Sequence, residues 1–245
     1  NTVWTYSFAC TGNEQNAKIT VSAEAAAGNP VGAPTGFTSI TVDNVDPTVA
    51  ISTSPSVTSA NSGTPVTFTV TFNDANPIDE STPPKISIGG LVLNDAMVMS
   101  SNTVWTYDFD CTGDETTALV SIDARDESGN SVGTHSGVTS FTVDNTDPDF
   151  TGTARTYVSG DLTVEMSTDA TGFDRIEYID KDAVDWSAPN TAAVIETGTG
   201  PFTLEATIGI TLSDGEDFEY RVVDGAENNS VIKTVTNSGG TIVCD

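Results

Sequence analysis

Apolar and polar residues alternate with a period of two along much of the chain. Two segments carry this alternation on large side chains: Trp4, Tyr6, Phe8 and Cys10 in one, and Trp105, Tyr107, Phe109 and Cys111 in the other. Because successive side chains of a β-strand point to opposite faces, each set is expected to lie on one buried face of a strand. No window shows the 3.6-residue apolar period of a helix. The pattern predicts an all-β chain.

Residues 48–148 carry several short strand signals, separated by turns rich in Asn, Asp, Gly and Pro. We expect strands at Thr48–Ser52, Pro65–Phe72, Lys85–Ile88, Ala96–Met99, Thr103–Asp110, Ala118–Ala124 and Thr139–Val143. Strands of this number and length, joined by such turns, are typical of the antiparallel β-sandwich of immunoglobulin type.

The sequence also repeats itself at a constant offset of 101 residues. Asn1-Thr-Val-Trp-Thr-Tyr6 returns at 102–107, and Thr41-Val-Asp-Asn44 returns at 142–145, with about half of the aligned residues identical. A period of this length corresponds to one whole immunoglobulin-like domain rather than to a solenoid repeat. A diverged third copy keeps the alternation in Phe202–Ile210. We therefore expect tandem immunoglobulin-like sandwiches in an extended array.

The repeat predicts three units. Residues 48–148 form a complete sandwich, 149–245 form a diverged sandwich, and 1–47 match only the last three strands of the complete copy. Three strands with one apolar face cannot close a sandwich. Either the first half of that domain belongs to a preceding part of a longer array, or a neighbouring molecule supplies the missing strands.

The charge balance narrows the classes of partner. Eight Lys and Arg residues stand against 35 Asp and Glu residues, for a net charge of −27. Such a surface repels nucleic acid and anionic lipid, and it attracts cations. No apolar run approaches the length of a membrane span, so direct membrane insertion is not expected.

Three motifs of the second copy carry a family resemblance: Trp-Thr-Tyr at 105–107, Asp-Glu-Ser-Gly-Asn at 126–130 and Phe-Thr-Val-Asp-Asn-Thr-Asp-Pro at 141–148. With them the chain resembles bacterial and archaeal immunoglobulin-like repeats of adhesins, surface-layer components and other secreted proteins. The resemblance is strong over 1–149 and loose over 150–245. It implies a rod of sandwiches with short linkers, often stiffened by calcium, and no catalysis.

The acidic residues suggest where calcium would bind. In this topology the incoming linker reaches the pole that carries the B–C and F–G loops, and Ca²⁺ prefers six to eight oxygen ligands. We expect ligands at two domain junctions: Asp43, Asp46, Asp74 and Asp126 at the first, and Asp144, Asp147, Asp169 and Asp224 at the second. The alternative is that these residues only form turns, with Asp-Pro pairs stiffening the linkers.

Catalytic chemistry has little support in the sequence. The one histidine, His135, lies in a Gly- and Ser-rich stretch predicted to be an exposed loop, and no zinc-type spacing or nucleophile elbow accompanies it. Cys10 and Cys111 are expected to be small apolar core residues. Asn228-Asn229-Ser230 fits an N-glycosylation acceptor. We predict that the chain is not an enzyme.

The leading functional hypothesis is a spacer in an extracellular surface protein, such as an adhesin stalk or filament component. Its partners would be neighbouring immunoglobulin-like domains of the same chain or fibre. A second hypothesis is a module that binds a glycan or a surface receptor, with Trp186 stacking on a sugar or packing under its own loop. A third is an accessory part of a secreted polysaccharide-active enzyme.

Overall fold

The computed structural model describes residues 3–33, 35–167, 169, 171–180, 183, 185–197 and 202–245. These residues contain 21 β-strands and no helix. No helix in this part of the chain is therefore long and apolar enough to cross a membrane.

The described residues of the N-terminal segment contain two strands, β1 (Glu14–Lys18) and β2 (Ser39–Val42), which pair antiparallel. Residues 3–13 lie outside any strand. The predicted strand face of Trp4, Tyr6, Phe8 and Cys10 is therefore wrong for this structure, and all four residues are exposed. The physical reason is the lack of a neighbour: in the second copy the matching strand pairs with β5, and the described residues before 48 hold no equivalent of β5.

Residues 48–143 form two five-stranded sheets that face each other. The strands are β3 (Thr48–Ser54), β4 (Ser59–Ala60), β5 (Val66–Asn73), β6 (Lys85–Ile88), β7 (Val92–Ala96), β8 (Val98–Ser101), β9 (Val104–Phe109), β10 (Glu115–Asp123), β11 (His135–Gly137) and β12 (Ser140–Val143). One sheet has the order β11-β3-β5-β9-β8 and the other β4-β12-β10-β6-β7. With the immunoglobulin strand letters, these are A-B-E-D and G-F-C-C′, each with one extra edge strand.

The core between these sheets is apolar and aromatic. Phe68 and Phe141 come from opposite sheets and meet edge to face, with ring centroids 5.3 Å apart. Trp105 and Cys111 are also buried. The prediction that Cys111 is a small apolar core residue is confirmed, and burial raises the pKa of its thiol to about 11.

Residues 150–244 repeat the same strand order. The strands are β13 (Phe150–Val158), β14 (Asp161–Met166), β15 (Phe173–Asp180), β16 (Asn190–Ala193), β17 (Ile195–Thr197), β18 (Phe202–Thr207), β19 (Asp217–Asp224), β20 (Lys233–Ser238) and β21 (Thr241–Cys244). The sheets are β13-β14-β18-β17 and β16-β15-β19-β20-β21. They enclose a second core that includes Leu162, Ile176, Leu204 and Tyr220. The predicted all-β, immunoglobulin-like antiparallel sandwich fold is confirmed.

Two details of the strand prediction need correction. The predicted strand Ala96–Met99 is two strands, because the chain crosses between sheets at Met97, whose side chain is buried and whose N–H donates to the Pro84 carbonyl. The predicted loop around His135 is the short strand β11, which pairs in parallel with β3. A three-residue edge strand is too short to show a period of two, so the sequence did not reveal it.

Candidate metal centres

Three aspartates from separate segments meet at the first junction. Asp43 follows β2 in the linker, Asp74 follows β5 in the B–C loop, and Asp126 lies in the F–G turn after β10. One carboxylate oxygen from each lies within 4.8 Å of the others. They meet because the linker enters the sandwich at the pole to which both loops belong, as the sequence predicted.

Hydrogen bonds from nearby backbone amides fix the three carboxylates. Oδ1 of Asp43 accepts from the Val45 N–H (2.9 Å), and Oδ1 of Asp74 accepts from the Asn76 N–H (2.8 Å). The Asn130 N–H donates to Oδ1 of Asp126 over 2.8 Å. These short-range turns set the side-chain directions before any ligand arrives, which lowers the entropy cost of binding one.

The second junction has the same arrangement. Asp144 of the linker, Asp169 of the B–C loop and Asp224 of the F–G turn also bring carboxylate oxygens within 4.8 Å of one another. Their Oδ1 atoms accept from backbone amides at equivalent positions, for example Thr146 N–H to Asp144 (3.0 Å) and Thr171 N–H to Asp169 (3.0 Å). The diverged third domain has therefore kept this pole.

An asparagine at each junction joins the next domain to the linker. Asn130 donates from Nδ2 to the Asp43 carbonyl (3.1 Å) and to Oδ2 of Asp126 (2.8 Å). Asn228 donates from Nδ2 to the Asp144 carbonyl (2.9 Å) and to Oδ2 of Asp224 (2.8 Å). The prediction omitted both asparagines, although the shared Asp-x-x-x-Asn spacing at 126–130 and 224–228 was visible in the sequence.

A second pair of asparagines ties each linker to the domain before it. Asn44 donates from Nδ2 to the Gly12 carbonyl, and Asn145 donates to the Gly113 carbonyl, both over 2.6 Å. Each linker is thus held from both sides. At the second junction, Asn61 also donates directly to Oδ1 of Asn228 across the domain boundary (2.8 Å).

The clusters hold negative charge with little compensation. Asp126, Asp144 and Asp224 are at most 2% exposed, and Oδ2 of Asp74 is buried without a hydrogen-bond partner. Among the described residues, no Lys or Arg makes an ion pair with any of the six carboxylates. Burying ionised carboxylates is costly unless a counter-charge accompanies them.

One of the four expected ligands at each junction lies outside the cluster. Asp43, Asp74 and Asp126 come together, as do Asp144, Asp169 and Asp224, whereas Asp46 and Asp147 are outside both groups. Asp46 and Asp147 are exposed and precede the buried prolines Pro47 and Pro148. Their position fits the turn-forming alternative that the sequence left open.

The first copy keeps the F–G turn but not its carboxylate. The Ala25 N–H donates to the Asn29 carbonyl (2.8 Å), just as the Asp126 N–H donates to the Asn130 carbonyl (3.0 Å). Alanine at position 25 removes one carboxylate from the corresponding pole. The acidic pole is therefore a property of the junctions before the second and third domains, and the shared turn does not require it.

Burial raises the pKa of Asp169 to about 6, and the neighbouring Asp224 and Asp144 carboxylates add to this increase. Burial also raises the pKa of Asp224, against hydrogen bonds from Asn228 and Ala226 that lower it. A carboxyl group whose pKa is higher in the folded state binds a proton more tightly there than in the unfolded chain. Protonation of the second cluster is thus expected to stabilise the metal-free fold.

We expect the metal-free protein to gain stability as the pH falls from 7.5 through about 6 to 5, and Asp169→Asn to lose most of this gain. Urea unfolding in chelator, measured across that range for both proteins, tests it. The other titratable groups are the same in both proteins, so their contributions cancel in the difference. Equal pH dependence in the two proteins would contradict the assignment.

His135 is half-buried, not exposed as predicted. Its Nε2 lies 3.2 Å from the backbone nitrogen and 3.3 Å from the carbonyl oxygen of Ile122. These contacts hold β11 against the neighbouring sheet, which is a structural role. The expectation that the chain is not an enzyme stays a prediction.

The remaining candidate positions have structural partners. Trp186 is half-buried with the Arg221 guanidinium 4.8 Å from its ring centroid, so one ring face is already occupied. Asn228, the acceptor of the glycosylation motif, is 6% exposed and its amide is fully engaged at the junction. The fold therefore does not present that motif for modification.

Neither a protein-family model nor a curated protein sequence matches the chain. Solved structures similar to it include the Yersinia pseudotuberculosis adhesin InvE (15% identity, TM-score 0.29, covering 77% of this chain and 58% of that one). Others are a three-domain structure of titin (10%, 0.35, 74% and 61%) and the N-terminal Ig1-2 module of Drosophila DLAR (12%, 0.26, 77% and 96%). The chain thus spans less than two thirds of the InvE and titin structures. The fold assignment rests on the strand order of the chain itself.

Proposed function

We propose that this chain is a non-catalytic spacer of an extracellular surface protein, in which a divalent cation locks each sandwich to the next. The observation that carries the proposal is the repetition of one contact set at both junctions: three carboxylates, a linker clasped by an asparagine on each side, and a shared pole. A single binding or catalytic site would not require the same contacts at each junction. A contact set that recurs at every described junction is what a repeated mechanical element requires.

Calcium is the cation that the donor set favours. Three carboxylates offer up to six oxygens at each cluster, and Ca²⁺ takes six to eight oxygens in flexible geometry. Mg²⁺ demands near-ideal octahedral geometry and retains its water, and Zn²⁺ prefers nitrogen and sulfur ligands. No His or Cys belongs to either cluster within the described residues. A bound Ca²⁺ would also neutralise the buried negative charge.

The placement of the ligands explains how binding would stiffen the chain. At each junction one carboxylate belongs to the linker, Asp43 or Asp144, and the other two belong to the domain that follows. A cation shared by all three would fix the linker direction, and Asn44 and Asn145 already hold the linker to the preceding domain. The cation would thereby limit rotation between domains.

The same chemistry favours an extracellular location. Extracellular calcium modules commonly bind with dissociation constants of about 10⁻⁴–10⁻³ M, which suits the millimolar calcium outside cells. The net charge of −27 keeps such a protein soluble and self-repelling at high ionic strength. Both features support a role on a cell surface.

Calcium titration by calorimetry, with small-angle scattering before and after chelation, tests this function. We expect two binding events, and a more flexible particle in chelator, because rotation between domains is then no longer limited. Asp126→Asn and Asp224→Asn should each abolish one binding event, because each removes a buried ligand from one cluster.

Asp46→Asn and Asp147→Asn are the matched controls, since they remove the same charge beside the clusters without touching them. Both controls should keep two binding events. Absence of binding at millimolar calcium, together with a scattering profile that chelator leaves unchanged, would refute cation locking. Loss of binding in the controls would show that general charge, not the clusters, attracts calcium.

A further inference from the structure

The N-terminal segment exposes an apolar surface whose equivalent in the second copy of the repeat is buried. Trp4 is 89% exposed whereas its repeat equivalent Trp105 is 3% exposed. Every position of 102–148 that contributes to the core of the second copy is apolar in the first copy: Trp4, Tyr6, Phe8, Cys10, Ala17, Ile19, Val21, Ala23, Val31, Phe37, Ile40 and Val42. A free surface gives no reason to keep an apolar residue at all of these positions.

The β1–β2 hairpin of this segment has the same register as the equivalent β10–β12 pair of the second copy. β1 pairs with β2 through Glu14↔Val42 and Ala17↔Ile40, and β10 pairs with β12 through Glu115↔Val143 and Ala118↔Phe141. The same bulge interrupts both pairs. In the second copy the other edge of β10 pairs with β6, and the strand before it pairs with β5. The equivalent residues of the first copy, 19–22, follow β1 and have no described strand beside them on the side where β6 would pair.

Gly36 has open space at the position where its repeat equivalent, Gly137, contacts the backbone of β3. Gly137 has φ +81°, and a Cβ there would lie 2.0 Å from the carbonyl oxygen of Ile51 in β3. Its repeat equivalent Gly36 has φ +96°, yet no described atom lies within 4 Å of the same position. Gly36 thus keeps the clearance that a β3-like strand needs, although the described residues place no strand beside it.

We infer that residues 3–47 bind the N-terminal half of a sandwich of their own repeat type, with strands equivalent to β3–β8. The apolar positions match the core of such a half, the side of residues 19–22 without a described strand matches β6, and Gly36 matches β3. A second copy of the chain is a poor donor, because its own β3–β8 already pair with its own β9–β12. The inference concerns the fold of this segment and does not depend on calcium.

The test is to extend the full chain by placing a copy of residues 48–101 directly ahead of Asn1. We expect Trp4 to become buried, with its acrylamide quenching reduced roughly three-fold or more towards that of the buried Trp105. The added segment contains no tryptophan, so a Trp4→Phe version of each protein isolates the Trp4 signal. An additional cooperative unfolding transition should appear as well.

Two variants make the result specific. Val70→Asp in the added copy places a charge at a position that is fully buried in the second domain, and it should leave Trp4 exposed. Gly36→Ala should block burial of Trp4 in the extended protein, whereas in the unextended chain its Cβ meets no described atom and adds only the backbone strain of a positive φ. Full quenching of Trp4 in the extended protein would overturn the inference. So would a dimer of the unextended chain that protects Trp4, because the second copy would then be the partner.

Discussion

Asn228→Ala is expected to destabilise the third domain by roughly 2–3 kcal/mol in the absence of calcium, because two buried acceptors lose their donor. The Asn228 amide donates to the Asp144 carbonyl and to Oδ2 of Asp224, and Asp224 is fully buried. Oδ1 of Asn228 also accepts a hydrogen bond from Nδ2 of Asn61 in the preceding domain (2.8 Å). Denaturant unfolding in chelator measures the loss, and scattering should show greater freedom at the second junction.

The neighbouring substitution Asn229→Ala provides the control, since Asn229 is exposed and its side chain takes no part in the junction contacts described. It should change stability by less than about 0.5 kcal/mol. Asn130→Ala at the first junction should cost less than Asn228→Ala, because Asn130 is only half-buried. If Asn228→Ala and Asn229→Ala had the same free energy of unfolding, the hydrogen bonds of the Asn228 amide would not stabilise the junction.

Gly137→Ala is expected to destabilise the second domain by roughly 3 kcal/mol or more. An alanine there must adopt a positive φ and must also push its Cβ against the Ile51 carbonyl, 2.0 Å away, so β11 has to separate from β3. Because β11 carries His135, the contact between that ring and Ile122 should be lost with it. Thermal or urea unfolding of the full chain reports the effect.

Gly129→Ala separates the two contributions. Gly129 also has a positive φ of +93°, but no described atom lies within 4 Å of a Cβ there. It should show the backbone cost alone, roughly 1–2 kcal/mol. Equal costs at positions 129 and 137 would mean that contact with β3 is not what requires glycine at 137.

The fold was largely predictable because its signals are local. A period-two alternation sets which face of a strand is buried, and turn residues set where strands end, so β5, β6, β9, β10 and β12 follow from neighbouring residues alone. The repeat of 101 residues added the domain organisation. The short edge strands β4 and β11 were missed, since their pairing with β12 and β3 depends on residues distant in sequence.

The candidate metal centres were predictable in part. Topology brings linker, B–C loop and F–G loop to one pole, and that reasoning identified six aspartates that the structure groups together. It also included Asp46 and Asp147, which the structure places outside, because composition does not show whether a carboxylate faces the pole or the solvent. Asn130 and Asn228 were omitted, since sequence spacing alone does not show which backbone carbonyl an amide will meet.

By itself, the sequence determined the all-β sandwich fold, the repeat and the acidic poles, because these depend on side-chain periodicity and on loops whose order along the chain is fixed. Only the tertiary structure decided which carboxylates are buried together, that asparagines hold each linker from both sides, and that Trp4 and its neighbours lie uncovered. Burial and hydrogen bonding depend on what packs against a residue. That neighbour is set by strands far along the chain, and for residues 3–47 by strands that the described structure does not contain.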